Sequence, residues 1–150
     1  MGYYNDEFDL YPIVREWFDR NGSRVKEQVK YGRSGGRGVV DIVVYDKHKG
    51  ALAIEVKVRL ADALPQAILC HDAFDYSYIA LPTSRLTTQG WASNYVTERE
   101  VWALQQLGIG LLYISNDKVK EVIKAKKTKR PYRKKLTRKI NILRAESFHW

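Results

Sequence analysis

The sequence predicts an α/β domain, and three observations carry that reading. Helical segments alternate with runs of β-branched and aliphatic residues in the order helix, strand, strand, strand, helix, strand. The strand-like runs 39–45 and 51–58 are joined only by Asp46-Lys47-His48-Lys49-Gly50, a turn short enough for an antiparallel hairpin. The chain has 150 residues, of which 45% are hydrophobic, enough for one domain with a real core.

The elements follow in order. Leu10, Ile13, Val14, Trp17 and Phe18 recur at helical spacing, predicting an amphipathic helix over 6–20, capped by Asp6 and ended by Asn21-Gly22. Pro12 then belongs in the first turn or delays the start. Residues 24–31 read as a first strand, with apolar Val25 and Val29 among polar neighbours. Residues 32–38 are a glycine-rich loop that lacks the lysine and spacing of a Walker loop. Its Arg33 and Arg37 either touch a backbone phosphate or simply decorate a turn. Gly50 is free to take positive φ at the hairpin. A second helix is expected over 62–74, capped by Asp62 with Pro65 in its first turn, then a strand over 76–81 stopped by Pro82. Thr97-Glu98-Arg99-Glu100 is a capping box for a third helix that Gly108 ends. Residues 109–115 form the last clear strand and 119–123 a further edge strand. Beyond Pro131, Leu136, Ile140 and Leu143 fit one face of a basic helix.

Three charges stand inside the strand-like runs: Asp41, Glu55 and Lys57. Charge in such a setting is costly unless it is paired or binds a metal. Alternation puts Leu52, Ile54, Val56 and Val58 on one face and Ala51, Ala53, Glu55 and Lys57 on the other, with the small alanines leaving space beneath the charges. The hairpin brings Asp41 beside that second face. Two readings of the residues stay open at this point. One is a divalent-cation site that activates water; the other is a Glu–Lys surface pair with Asp41 closing a strand start.

An Asp, a hairpin and then Glu-x-Lys resemble the signature of the PD-(D/E)xK nuclease superfamily, the restriction-endonuclease-like fold. The resemblance covers residues 6–82; Val40 stands where many members have proline. It implies an αβββαβ core with a mixed central sheet flanked by helices, followed here by a basic C-terminal extension. With no obvious linker before about Lys126, the chain reads as a nuclease-like domain over 1–125 and a basic arm over 126–150 whose helix packs on the domain. The implied activity is Mg²⁺-dependent (or Mn²⁺-dependent) hydrolysis of DNA phosphodiester bonds, with double-stranded DNA as partner. Asp41 and Glu55 would hold the metal with the Val56 carbonyl, and Lys57 would position the attacking water or steady charge on phosphorus. Glu7, near the start of the first helix, matches a further metal ligand, with Asp6 and Asp9 as rivals and a favourable helix-end charge as the plain alternative. Gln66, on the second helix, matches a polar residue that orients the lysine or water; otherwise it faces solvent. Two further readings accompany this one. A branch-specific, Holliday-junction-type nuclease would need a homodimer, and a DNA-binding protein could retain the fold without cutting.

Charge adds a second, independent pointer. The net charge is +9, yet residues 118–139 alone carry +11 and the remainder −2. A patch that dense attracts polyanions, and Lys126, Lys127, Lys129, Arg130, Arg133, Lys134 and Lys135 are its candidate DNA contacts, unless the segment is only a solvated tail. The single cysteine, Cys70, excludes an internal disulfide and reads as a buried inert thiol. No Cys/His cluster has zinc spacing, and His48, His71 and His149 are scattered. With no bilayer-length apolar stretch and no signal-peptide pattern, the expectation is a reducing cytoplasmic compartment of a prokaryotic or viral host cell, without a membrane partner.

Overall fold

The computed structural model describes Tyr4 and residues 6–31 and 38–128. Its elements are α1 (Tyr11–Arg20), β1 (Arg24–Tyr31), β2 (Gly38–Asp46), β3 (Gly50–Val56), α2 (Leu60–Ala73), β4 (Tyr76–Pro82), β5 (Ser84–Thr87), β6 (Gly90–Ser93), α3 (Glu98–Leu107), β7 (Gly110–Ser115) and β8 (Lys118–Ile123). Six strands form one sheet in the order β1-β2-β3-β4-β7-β8, while β5 and β6 pair with each other as a separate hairpin. The pairs β1/β2, β2/β3 and β7/β8 are antiparallel; β3/β4 and β4/β7 are parallel. The molecule is therefore a mixed α/β fold with helices flanking a mixed sheet.

The helices divide between the two faces. Leu10, Tyr11, Val14 and Phe18 pack on Ile42, Val44, Leu52, Ile54 and Val56, so α1 covers one side. Cys70 and Ala73 of α2 pack on Val43, Ala51 and Ala53, and Leu104 of α3 shares a cluster with Ala63, Ala67, Ile79 and Leu111 on the other. Each parallel pair needs a crossover, and α2 and α3 supply them.

That double cover corrects one expectation. Ala51 and Ala53 are buried under α2, not set in open space. A strand between parallel and antiparallel neighbours is roofed on both faces, so its apolar alternation disappears. The alanines are small because a helix comes down on them.

Three boundaries also move. Asp6 does cap, but it caps a single 3-10 turn at Glu7–Asp9, and its box partner is Asp9. The α-helix proper begins at Tyr11 because Pro12 has no N–H to give to an earlier turn. α2 begins at Leu60 after Arg59, so Asp62 is not its cap and Pro65 lies inside the helix. Proline there forgoes a hydrogen bond to Ala61, which is exposed and can turn its carbonyl to water. The hairpin of β5 and β6 was not anticipated, since its strands have only four residues each. The capping box of Thr97 and Glu100 and the left-handed Gly108 that ends α3 are both present, and β8 pairs at the sheet edge. The basic helix expected after Pro131 lies outside the described residues.

The far end of the β2–β3 hairpin is locked by a buried acid. Asp75 Oδ2 accepts the Ala51 N–H at 2.8 Å, and Gly50 sits against it at φ +106°. A Cβ on Gly50 would lie 2.2 Å from that oxygen. Gly50→Ala should therefore lower the unfolding free energy by about 1–3 kcal/mol, from strain and overlap together, as read by urea denaturation. An unchanged midpoint would show that the turn relaxes freely.

Candidate functional site

The candidate site is built where β2 parts from β3. The antiparallel register runs from Asp46↔Gly50 to Ile42↔Ile54 and then stops. The next main-chain donor, Val56 N–H, is taken by Asp41 Oδ2 at 2.8 Å. A side-chain carboxylate thus replaces a main-chain carbonyl, keeping a buried donor satisfied while the strands diverge. The disturbance reaches both neighbours of Asp41. Val40 packs with Val43, although strict alternation would place it with Ile42 and Val44. Gln28, at the gap in the β1/β2 register between Glu27↔Ile42 and Val29↔Val40, takes φ +54°, uncommon for a residue other than glycine.

Lys57 follows directly on β3, its N–H held by the Ala80 carbonyl at 3.2 Å. It therefore stands at the carboxyl end of the parallel pair β3/β4, where open α/β sheets place their ligands. Its Nζ lies 3.1 Å from Asp41 Oδ2 and 3.5 Å from Glu7 Oε1. The turn at Glu7–Asp9 is what brings Glu7 over the sheet end. Burial works against the Lys57 ammonium, but Asp41, Glu7 and Glu55 outweigh it and raise its pKa.

Glu55 is different. It is 2% exposed, and its Oε1 has no hydrogen-bond partner among the described residues. Burial, and then the neighbouring Asp41, push its pKa up to about 8. Tyr11 of α1 closes the site from the other face, and its phenol is pushed well above its usual value by burial, then by Asp41, Glu7 and Glu55. Gln28 Nε2 donates to Tyr11 Oη at 2.8 Å. Gln66 Nε2 donates to Tyr31 Oη at 2.7 Å. The Tyr31 phenol and the Cys70 thiol are both pushed upward, first by burial, and charge on Glu55 adds to each.

Of the expected site residues, Glu7, Asp41, Glu55 and Lys57 come together, and Val56 joins through its N–H. Gln66 stands beside Tyr31 on the Glu55 side. Cys70 is the buried thiol expected. Lys126 and Lys127 are exposed, and Lys126 N–H binds the Gly108 carbonyl. Thr128 N–H binds the Asp75 carbonyl, at the opposite end of β3 from Lys57. Arg33, Arg37, Lys129, Arg130, Arg133, Lys134 and Lys135 lie outside the described residues. Tyr11, Gln28 and Tyr31 were not foreseen. An aromatic on a core helix and a glutamine in a strand carry no sequence signal of their own.

No family profile and no curated protein matches the sequence. The fold is similar to that of a solved structure, the SPO1766 protein of unknown function from Silicibacter pomeroyi, with a TM-score of 0.57 and 22% identity over 91% of this chain and 84% of that one. At that identity the likeness concerns the fold alone. Among the described residues, no helix is long and apolar enough to cross a membrane.

The donor set suits a hard divalent cation in one respect. Asp41 and Glu55 are adjacent carboxylates, and the Glu55 oxygen is a buried acceptor with no donor among the described residues. Among the described residues no three His, Cys, Asp or Glu side chains form a ready ligand cluster, and Glu7 is engaged by Lys57. Two carboxylates with retained waters are the arrangement the residues fit.

The raised Glu55 pKa has a signed consequence. Between about 4.5, its ordinary value, and about 8, the folded chain holds a proton that the unfolded chain releases. Stability therefore falls as pH rises through that window. Glu55→Gln cannot ionise, so it should match wild type near pH 5 and exceed it in stability above pH 8, measured by thermal melts without divalent ions. Parallel profiles for the two proteins would mean that Glu55 is ionised throughout.

Proposed function

We propose that this chain is a metal-dependent DNA endonuclease with a restriction-endonuclease-like αβββαβ core and a basic C-terminal extension. The observation that carries the reading is the meeting of Asp41, Glu55 and Lys57 at the carboxyl end of β3, with one buried Glu55 oxygen unpaired among the described residues. Asp41 and Glu55 would hold Mg²⁺ (or Mn²⁺), which when bound makes hydroxide accessible near neutral pH and neutralises charge on the phosphate.

The chain's own residues do the rest. Asp41 is oriented by the Val56 N–H, so its carboxylate is fixed before any ligand arrives. The Lys57 ammonium, raised in pKa by its acidic neighbours, stays charged at neutral pH and can hold a water or a phosphate oxygen. Glu7 holds that ammonium from the other side at 3.5 Å, which sets where it points. The buried floor of Ile54, Val56 and Ala80 keeps bulk water from beneath the site.

Nicking of supercoiled plasmid tests the proposal. Asp41→Asn, Glu55→Gln and Lys57→Met should each reduce Mg²⁺-dependent nicking by about 100-fold or more. Asparagine suits the first because its Oδ1 can still accept the Val56 N–H, so folding is preserved. Wild-type rates in all three folded variants would sink the assignment.

The basic extension gives a separate test. A face bearing carboxylates repels DNA, and residues 118–139 are the dense source of compensating charge. Neutralising Lys126, Lys127, Lys129, Arg130, Lys134 and Lys135 should weaken binding to any DNA sequence. The slope of log K against log salt should shrink by about five if each meets a phosphate. An unchanged affinity and slope would make the segment a solubilising tail.

A further inference from the structure

We propose that the hairpin of β5 and β6 is a base-stacking arm, and that the substrate is DNA with unpaired nucleotides beside the scissile phosphate. This rests on the nuclease reading and adds the substrate class to it.

The first observation is position. β4 runs parallel to β3, so the hairpin that follows Pro82 rises from the sheet end that carries Glu55 and Lys57. Asn94 clamps it there. Its side-chain amide gives one hydrogen bond to the Val58 carbonyl at 2.6 Å and one to the Pro82 carbonyl at 2.9 Å. Its main-chain N–H binds the Thr83 carbonyl at 2.9 Å. Val58 is the residue after Lys57, so the hairpin base and the site share one rigid support.

The second observation is that the hairpin does nothing for the core. None of residues 84–93 is buried, and among the described residues the two strands pair only with each other. A lone two-stranded ribbon is marginal in water, so its order must be built in locally. Thr87 supplies that order at the tip, where Oγ1 donates to the Gly90 carbonyl at 2.6 Å and accepts the Gln89 N–H at 3.2 Å.

The third observation is what the hairpin presents. Leu86 and Trp91 are cross-strand partners on one face, 54% and 39% exposed. Tyr95 follows the clamp, 62% exposed, with its ring set edge-on to Tyr113 at 5.2 Å. Exposed aromatic rings held rigidly beside a phosphodiester site offer faces on which unpaired bases stack. The surrounding charge fits the same partner. Residues 57–61 and 83–96 contain Lys57, Arg59 and Arg85 and no Asp or Glu. The remaining side chains are rich in Ser, Thr, Gln and Asn, which donate to phosphate and sugar. In a uniform duplex the bases are already stacked on each other, and these rings would have nothing to receive.

The test measures binding by fluorescence anisotropy in EDTA, so that no probe is cut. A labelled single strand, its blunt duplex and a fork of the same sequence are compared at one salt concentration. Wild type should bind the strand and the fork at least about tenfold more tightly than the duplex. Trp91→Ala and Tyr95→Ala should each reduce that ratio by about fivefold or more, while Trp91→Phe, which keeps an aromatic face, should retain most of it. Melting curves confirm that each variant folds. A folded Trp91→Ala with the wild-type ratio would overturn the inference. So would loss of a wild-type dimer in that variant with DNA preference intact, because the hairpin would then be a protein contact. Equal affinity of wild type for all three DNAs, with Mg²⁺-dependent nicking intact, removes this inference and leaves the nuclease reading standing. Absence of binding to any of them, with Mg²⁺-dependent nicking also absent, would remove both.

Discussion

The bond from the Val56 N–H to the Asp41 carboxylate is the constraint on which the site depends. Where β2 turns away from β3, a buried main-chain donor loses its ladder partner, and an unpaired donor costs about 1–3 kcal/mol. Asp41 removes that cost by accepting the bond. In doing so it holds a negative charge 95% buried, and the Lys57 ammonium at 3.1 Å offsets it. Glu55, on the neighbouring strand, receives no such settlement: one oxygen has no partner among the described residues, and burial raises its pKa. A divergence of two strands thus creates one satisfied carboxylate and one unsatisfied carboxylate side by side. The second is the acceptor on which the proposed cation site rests.

Asp75 shows why a buried acid is not by itself a site. It is as buried as Asp41 and also accepts a main-chain N–H, from Ala51 at 2.8 Å. It sits at the opposite end of β3, against the positive-φ Gly50, and its main-chain carbonyl receives the Thr128 N–H. Its work is to fasten the hairpin and the end of the described chain. What separates the Glu55 end is an unpaired oxygen, an ammonium beside it and the open carboxyl end of a parallel strand pair.

The sequence showed the order of the main-sheet elements because local signals suffice for them: β-branched runs, a short turn, a capping box and a helix-ending glycine. It showed Asp41, Glu55 and Lys57 because charge inside apolar runs is costly and therefore conspicuous. It misled at Ala51 and Ala53, where small size meant a close helix and not a cleft. Asp62 looked like a cap, but the helix starts earlier, and no local rule counts the turns that packing on the sheet adds. Tyr11, Gln28 and Asn94 were invisible for another reason. Each acts through a contact distant in sequence: Gln28 reaches Tyr11, and Asn94 reaches Val58. The left-handed backbone of Gln28 coincides with the gap in the β1/β2 register, a property of the assembled sheet that the glutamine itself does not encode.

Lys126 and Lys127 stand near the opposite end of β3 from Lys57. The root of the basic extension, at 126–128, is fastened to Gly108, Asp75 and His71, near the start of β3. Lys57 lies seven residues on from Gly50, or about 23 Å at the rise of a strand. That length corresponds to roughly seven nucleotides of stacked DNA at 3.4 Å each. On the proposed nuclease reading, a nucleic acid touching both ends would meet Lys126 and Lys127 well away from the bond at the site. Salt would act mainly on the first and a divalent ion mainly on the second. The strand itself makes the two effects separable, because the six buried residues 51–56 hold the two ends at a fixed distance.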